Sequence, residues 1–153
     1  MAASKKRQIG DKGEGVACKY LENKGFSVIE RNYWKPWGEI DIVAKKGSIL
    51  SFVEVKSVSA DLSRVTTFVG GSPSAVADRA RRGTSAGLAG LSGLKPEENV
   101  HPAKIKRLSR AIQTYLLEKN VAETVEWRID IACVFLDFSL KKARVEYWEN
   151  VIL

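Results

Sequence analysis

The stretch GEIDIVAKKGSILSFVEVKS, residues 38–57, limits the fold more than any other part of the chain. Its two apolar runs alternate with charged positions at the two-residue period of a β-strand, and Gly47 stands between them as a turn, so the segment reads as an antiparallel hairpin. Ile40, Ile42, Val53 and Val55 are the natural candidates for its buried face. The other face gathers Glu39, Asp41, Glu54 and Lys56 among Val43, Leu50 and Phe52. A face that is half apolar is a poor candidate for full solvation, which makes the four charges the question.

Hairpin register decides which charges meet. With Gly47 and Ser48 as a two-residue turn, Asp41 falls opposite Glu54 and Glu39 opposite Lys56; with Lys46 and Gly47 as the turn, Asp41 faces Phe52 and Glu39 faces Glu54. Both registers keep the charges on one face, and a one-residue slip would mix them with the apolar set.

Around the hairpin the chain alternates helix and strand signals. Val16, Ala17, Tyr20 and Leu21 recur at helical spacing over residues 12–24, with Gly25 as the stop. FSVIERNYW reads as a strand before Pro36 and Gly38. Residues 58–100 are rich in Ser, Gly, Ala and Arg; a short helix near 75–82 is one option, but the glycines argue for a flexible insertion. HPAKIKRLSRAIQTYLLEKN is a second amphipathic helix opened by Pro102, with a stripe of Ile105, Leu108, Ile112, Tyr115 and Leu116. VEWRIDIACVFLDF and KKARVEYWENVIL are two closing strands, the first apolar enough to be central. The 153 residues suit a single α/β domain, helices packed on a mixed sheet.

Composition narrows the partners. The formal charge of +7 favours an anionic partner such as nucleic acid. No apolar run approaches the roughly 18 residues that a membrane span needs, and MAASKKRQ lacks a signal core, so the expectation is a cytoplasmic protein with no membrane partner. Cys18 and Cys133 fall on a helix and an apolar strand, as buried free thiols. One histidine and no CxxC argue against structural zinc.

Two carboxylates side by side repel unless a proton or a cation is shared between them. Mg²⁺ or Mn²⁺ resolves the conflict, since such ions take one or two carboxylates and leave room for water and a phosphate. A neighbouring lysine then orients water or stabilises charge developing on the phosphate. That chemistry is phosphodiester hydrolysis.

An acidic residue on one strand followed by Glu-x-Lys on the next, here Asp41 and then Glu54, Val55 and Lys56, resembles the PD-(D/E)xK nuclease superfamily. More closely, GDKGEGVACKYLENKGFSVIERNYW, GEIDIVA, FVEVKS and HPAKIKRL resemble the YraN-like family of small bacterial proteins, which is similar to archaeal Holliday-junction resolvases. The resemblance implies a restriction-endonuclease-like fold. It also implies Asp41 and Glu54 as metal ligands, Lys56 as the catalytic lysine, and Glu14 on the first helix as a further acid of the centre. Glu39 is either a supporting acid or an ion-pair partner of Lys56. The proline of the motif's name is absent before Asp41, and the 58–100 segment is longer than the family leads one to expect.

Outside the acids, Lys104, Arg107 and Arg110 recur at spacing three with Lys106 alongside, a basic strip suited to backbone phosphates. Arg79, Arg81 and Arg82 could extend it. His101 reads as part of a helix start. Trp34, Trp37, Trp127 and Trp148 are expected to pack in the core or at sheet edges, with base stacking the less favoured alternative, and Asp130 either points to the site or closes a strand end. Two readings follow: a metal-dependent endonuclease acting on branched or otherwise structured DNA, or a non-catalytic nucleic-acid-binding scaffold of the same fold. The oligomeric state stays open, a homodimer included.

Overall fold

The computed structural model describes residues 4–64 and 102–152. The expected helix near 75–82, His101, the three arginines 79, 81 and 82, and most of the 58–100 segment lie outside the described residues. Helix α1 (Lys5–Asn23) begins seven residues before the expected start, because Ser4 caps it by accepting a hydrogen bond from the Arg7 N–H at 3.3 Å. Its first turns carry one apolar residue, Ile9, too few for a periodic signal.

Five strands follow among the described residues: β1 (Ser27–Lys35), β2 (Gly38–Lys46), β3 (Ile49–Ser59), β4 (Trp127–Asp137) and β5 (Lys142–Trp148). They lie side by side in that order, with only β3 and β4 parallel, so the sheet is mixed and β4 is interior as its apolar run predicts. A short 3-10 turn, Leu62–Arg64, follows β3, and helix α2 (Pro102–Glu118) precedes β4.

Each helix covers one face of the sheet. Ala17, Cys18 and Leu21 of α1 pack on Ile42, Ala44, Val53, Ala132 and Val134, and Leu108, Ala111, Ile112 and Tyr115 of α2 pack on Tyr33, Ile40, Val43, Leu50 and Phe52. Phe52 is fully buried among Tyr115 and Trp127 rings. Truncating it to Ala would cost about 3–5 kcal/mol. Both cysteines are buried and free.

One expectation needs correction. Ile40 and Ile42 do not share a face: Ile40 and Val43 lie under α2, whereas Ile42 and Ala44 lie under α1. The alternation therefore slips by one between Ile40 and Val43, beside Asn32 of β1, which holds a left-handed φ of 51°. Asp41 occupies the slip.

Two glycines set the spacing of the layers. A Cβ on Gly13 would lie 1.7 Å from Ser57 Oγ, and one on Gly38 would lie 2.1 Å from the Arg107 carbonyl oxygen. Gly13 thus lets α1 settle on β3, and Gly38 lets the β1–β2 turn settle on α2.

Candidate active site

Lys46 pairs with Ile49, so Gly47 and Ser48 form the turn, and the ladder runs up to Ile42 opposite Val53. The next step of that register brings Asp41 beside Glu54. There the backbone ladder stops, and the Val55 N–H donates instead to Asp41 Oδ2 at 2.7 Å. A side chain thus takes over a sheet hydrogen bond, and β2 and β3 part with two carboxylates at the opening.

Glu54 is only 4% exposed. Burial first, then the Glu54 charge, pushes the Asp41 carboxyl well above the usual carboxylate range; the Val55 N–H and the Lys104 ammonium pull the other way, and Glu14 adds to the rise. The site is therefore short of positive charge. Lys104 Nζ meets Glu54 Oε1 directly, although the lysine side chain is about half exposed. Burial works against its ammonium, but the Glu54 charge and hydrogen bond outweigh that and hold it above its ordinary value.

Lys56, two residues after Glu54, pairs with Cys133 across the parallel ladder. Burial lowers its ammonium below the usual lysine range, and Lys104 adds to this against the opposing influence of Cys133 and Glu54. Glu14 lies near enough to raise Asp41 but is turned towards β1: it hydrogen-bonds the Asn32 side chain and lies 3.8 Å from Arg31. Burial still raises its own carboxyl above normal. Among the described residues no three acidic, histidine or cysteine side chains close on one point that could hold an ion. Asp41 and Glu54 are the pair whose oxygens and crowding suit a hard divalent cation, while Glu14 is engaged by Asn32 and Arg31.

The predicted basic strip divides. Lys104 and Arg107 line a groove of about 570 Å³ that also holds Asp41, Glu54 and Glu39, while Lys106 and Arg110 stand exposed on α2 outside that lining. A second hollow of about 510 Å³, bordered by Lys5, Lys6, Glu14 and Ser57, reaches Asp41 from the α1 side. Glu39 sits opposite Trp34 on β1, and its charge is felt by Glu14 and Lys104. Asp130 closes a strand end: it accepts hydrogen bonds from Arg128, the Tyr147 hydroxyl and the Asn150 N–H on the α1 side of the sheet. Trp148 packs as expected, whereas Trp34 is 65% exposed.

Sequence reasoning missed the contact of Lys104 with Glu54 and the place of Trp34 along the groove that holds the acids. Spacing on a helix identifies a basic face but not the sheet position it meets. The run HPAK, quoted within the family resemblance, was the signal for Lys104.

A mixed sheet between helices, with an acidic pair and a following lysine where two strands part, defines an α/β protein of the restriction-endonuclease-like class. The chain belongs to the UPF0102, or YraN, family: the model of "Uncharacterised protein family UPF0102" matches residues 13–134. A UPF0102 protein of Alkaliphilus metalliredigens is 32% identical over 144 residues, 94% of this chain and 96% of that protein. One from Wolinella succinogenes is 29% identical over 147 residues, covering 96% and 98%. A shorter match to Campylobacter lari is 59% identical over 49 residues, 32% of this chain and 44% of its relative. No helix among the described residues is long and apolar enough to cross a membrane.

Proposed function

We propose that this protein is a metal-dependent endonuclease that hydrolyses phosphodiester bonds in DNA, branched or otherwise structured DNA foremost. The observation that carries the reading is Asp41 and Glu54 brought together at the mouth of the β2–β3 split, burial and then the Glu54 charge lifting the Asp41 carboxyl, with Lys56 on the same strand as Glu54. Mg²⁺ or Mn²⁺ held by Asp41 and Glu54, with Glu14 in support, would supply Lewis-acid polarisation of the phosphate and acidification of water.

The chain's own groups do the remaining work. Arg107 and, once released from Glu54, Lys104 hold the phosphate backbone at the groove. Lys56, already drawn below its ordinary proton affinity by burial, orients the attacking water or meets charge developing on the phosphate oxygens. Water adds to phosphorus and gives up a proton, the P–O bond to the leaving oxygen breaks, and that oxygen takes up a proton, so that none is gained or lost overall.

The contact between Lys104 and Glu54 favours a second reading, since an internal cation satisfies part of the acidic pair as a fixed structural ion pair would. On that reading the protein is a nucleic-acid-binding scaffold without turnover. Cleavage assays on four-way, flapped, single-stranded and linear DNA, with Mg²⁺, Mn²⁺ or EDTA, separate the two. Metal-dependent cutting that Asp41→Asn abolishes supports the nuclease; no cutting of any of these substrates supports the scaffold.

A further inference from the structure

The β1–β2 connection is fastened to α2 at two points beside the acids. Trp37 Nε1 donates to Thr114 Oγ1 at 3.1 Å, and Gly38 lies against the Arg107 backbone with no room for a side chain. This anchored corner presents Trp34, 65% exposed, along the same groove as Asp41 and Glu54. An indole left this open loses the burial that normally justifies its size. Trp37, 40% exposed, lies in the same lining.

The charges around the two rings indicate what they face. Arg107 and Lys104 border the groove on the α2 side and attract a polyanion. Glu39 stands directly opposite Trp34 in the β1–β2 ladder and repels a phosphate at that step, so a base, not the backbone, is the part of a strand that can approach the indole there. Lys35 is drawn off to Glu118, at 2.7 Å. A strand whose phosphates follow Arg107 and Lys104 would meet the indole with a base. In a duplex both faces of a base are covered by its neighbours, and only an unpaired base has a face to give.

We propose that Trp34, supported by the anchored Trp37, is a stacking site for an unpaired nucleobase of DNA, so that the strands taken carry a single-stranded segment next to the bond aligned with Asp41 and Glu54. This rests on the nuclease reading of the site and names its substrate class.

Binding without turnover tests it. The full chain in EDTA is titrated into a fluorescently labelled oligothymidylate of about 15 nucleotides and into a blunt duplex of the same length, with anisotropy as the readout. The wild type should prefer the single strand. Trp34→Ala should weaken single-strand binding about tenfold and leave duplex binding unchanged, whereas Trp34→Phe should keep most of the affinity. A 2-aminopurine in the oligonucleotide should be quenched by the wild type and not by Trp34→Ala. Because Trp34 is exposed, both variants should melt with the wild type, so a loss of binding is not a loss of fold. Equal weakening on both probes, an unchanged single-strand affinity in Trp34→Ala, or no single-strand binding by the wild type overturns the stacking site. Stacking without cleavage of any substrate sinks the nuclease reading alone; cleavage with an unaltered strand preference in Trp34→Ala sinks the stacking site alone.

Discussion

Two aspartates on the strands that flank β3 are treated in opposite ways. Asp130 on β4 is fully buried and surrounded by donors: Arg128 Nε, the Tyr147 hydroxyl and the Asn150 N–H all point at its carboxylate. Burial and the bond to Asp130 in turn hold the Tyr147 phenol above its ordinary proton affinity. Asp137, at the far end of the same strand, is served likewise by the N–H groups of Leu140, Leu62 and Ser139, which hold it below the usual carboxylate range. Asp41 receives one N–H and a second carboxylate. A buried acid that is met by donors serves the fold, whereas one that is met by another acid destabilises the metal-free fold and is suited to bind a cation.

The largest effect that would sharpen this contrast is catalytic. Lys56→Ala should lower cleavage by about 10²- to 10⁴-fold, because the group acting on water or phosphate is lost while the acidic pair stays intact. Single-turnover rates with Mn²⁺ at saturating enzyme would show it, and a rate near that of the wild type would remove Lys56 from the chemistry.

Stability offers the next test. Asp130→Ala leaves the Tyr147 hydroxyl and the Asn150 N–H without their buried acceptor and strips Arg128 of its buried carboxylate, and should cost about 3–5 kcal/mol in urea unfolding. Asp41→Asn relieves repulsion while its side-chain oxygen can still accept from the Val55 N–H, and should fall between no change and about 1 kcal/mol of stabilisation in metal-free buffer. Similar losses in both variants would erase the distinction between the two acids.

How far the residues alone foretold this differs between hairpin and helix. Alternation and Gly47 restricted the hairpin to two registers, and both kept Asp41, Glu54 and Lys56 together, since their neighbourhood depends on local pairing. The position of Lys104 on Glu54 depends on where α2 docks, across a sequence separation of 50 residues, and no helical spacing encodes that. The opposite faces of Ile40 and Ile42 were equally hidden, because the slip at Asp41 falls where the β2–β3 ladder ends and beside the left-handed Asn32 of β1, neither of which the pattern of β2 itself shows. Ser4 as a cap, and Gly13 and Gly38 as spacers, were visible as residues but gained a role only when their contacts were known.

The pH dependence distinguishes the two acids by sign. Unfolded Asp41 ionises near the ordinary value of about 3.9, while folded Asp41 keeps its proton to higher pH. Between those points the folded state binds more protons, so stability in EDTA should fall as pH rises through the window and stay reduced above it. Asp137 runs the other way: its folded value is depressed, and its contribution is lost as pH falls through that value. Urea unfolding of the wild type and Asp41→Asn from pH 4 to pH 9 should show the downward slope flattened in the variant. Parallel curves would mean that Asp41 is not held protonated by the fold.

The smallest expected effect is at the rim. Lys104→Ala combined with Arg107→Ala should weaken DNA binding about equally for all sequences and reduce the slope of log affinity against log salt by about one to two. An unchanged slope would leave the α2 cations as ordinary surface charge.

Thermal melting of the wild type and Asp41→Asn with EDTA, then with Mg²⁺ or Mn²⁺, tests the central claim most directly. If Asp41 and Glu54 form a cation site, the metal binds the folded state in preference, displaces Lys104 from Glu54, and stabilises the wild type by about 2.7 kcal/mol at a hundred times its dissociation constant. The melting temperature should then rise with metal in the wild type and stay where EDTA leaves it in Asp41→Asn. A wild type indifferent to both metals, or a variant that gains as much as the wild type, would contradict the account.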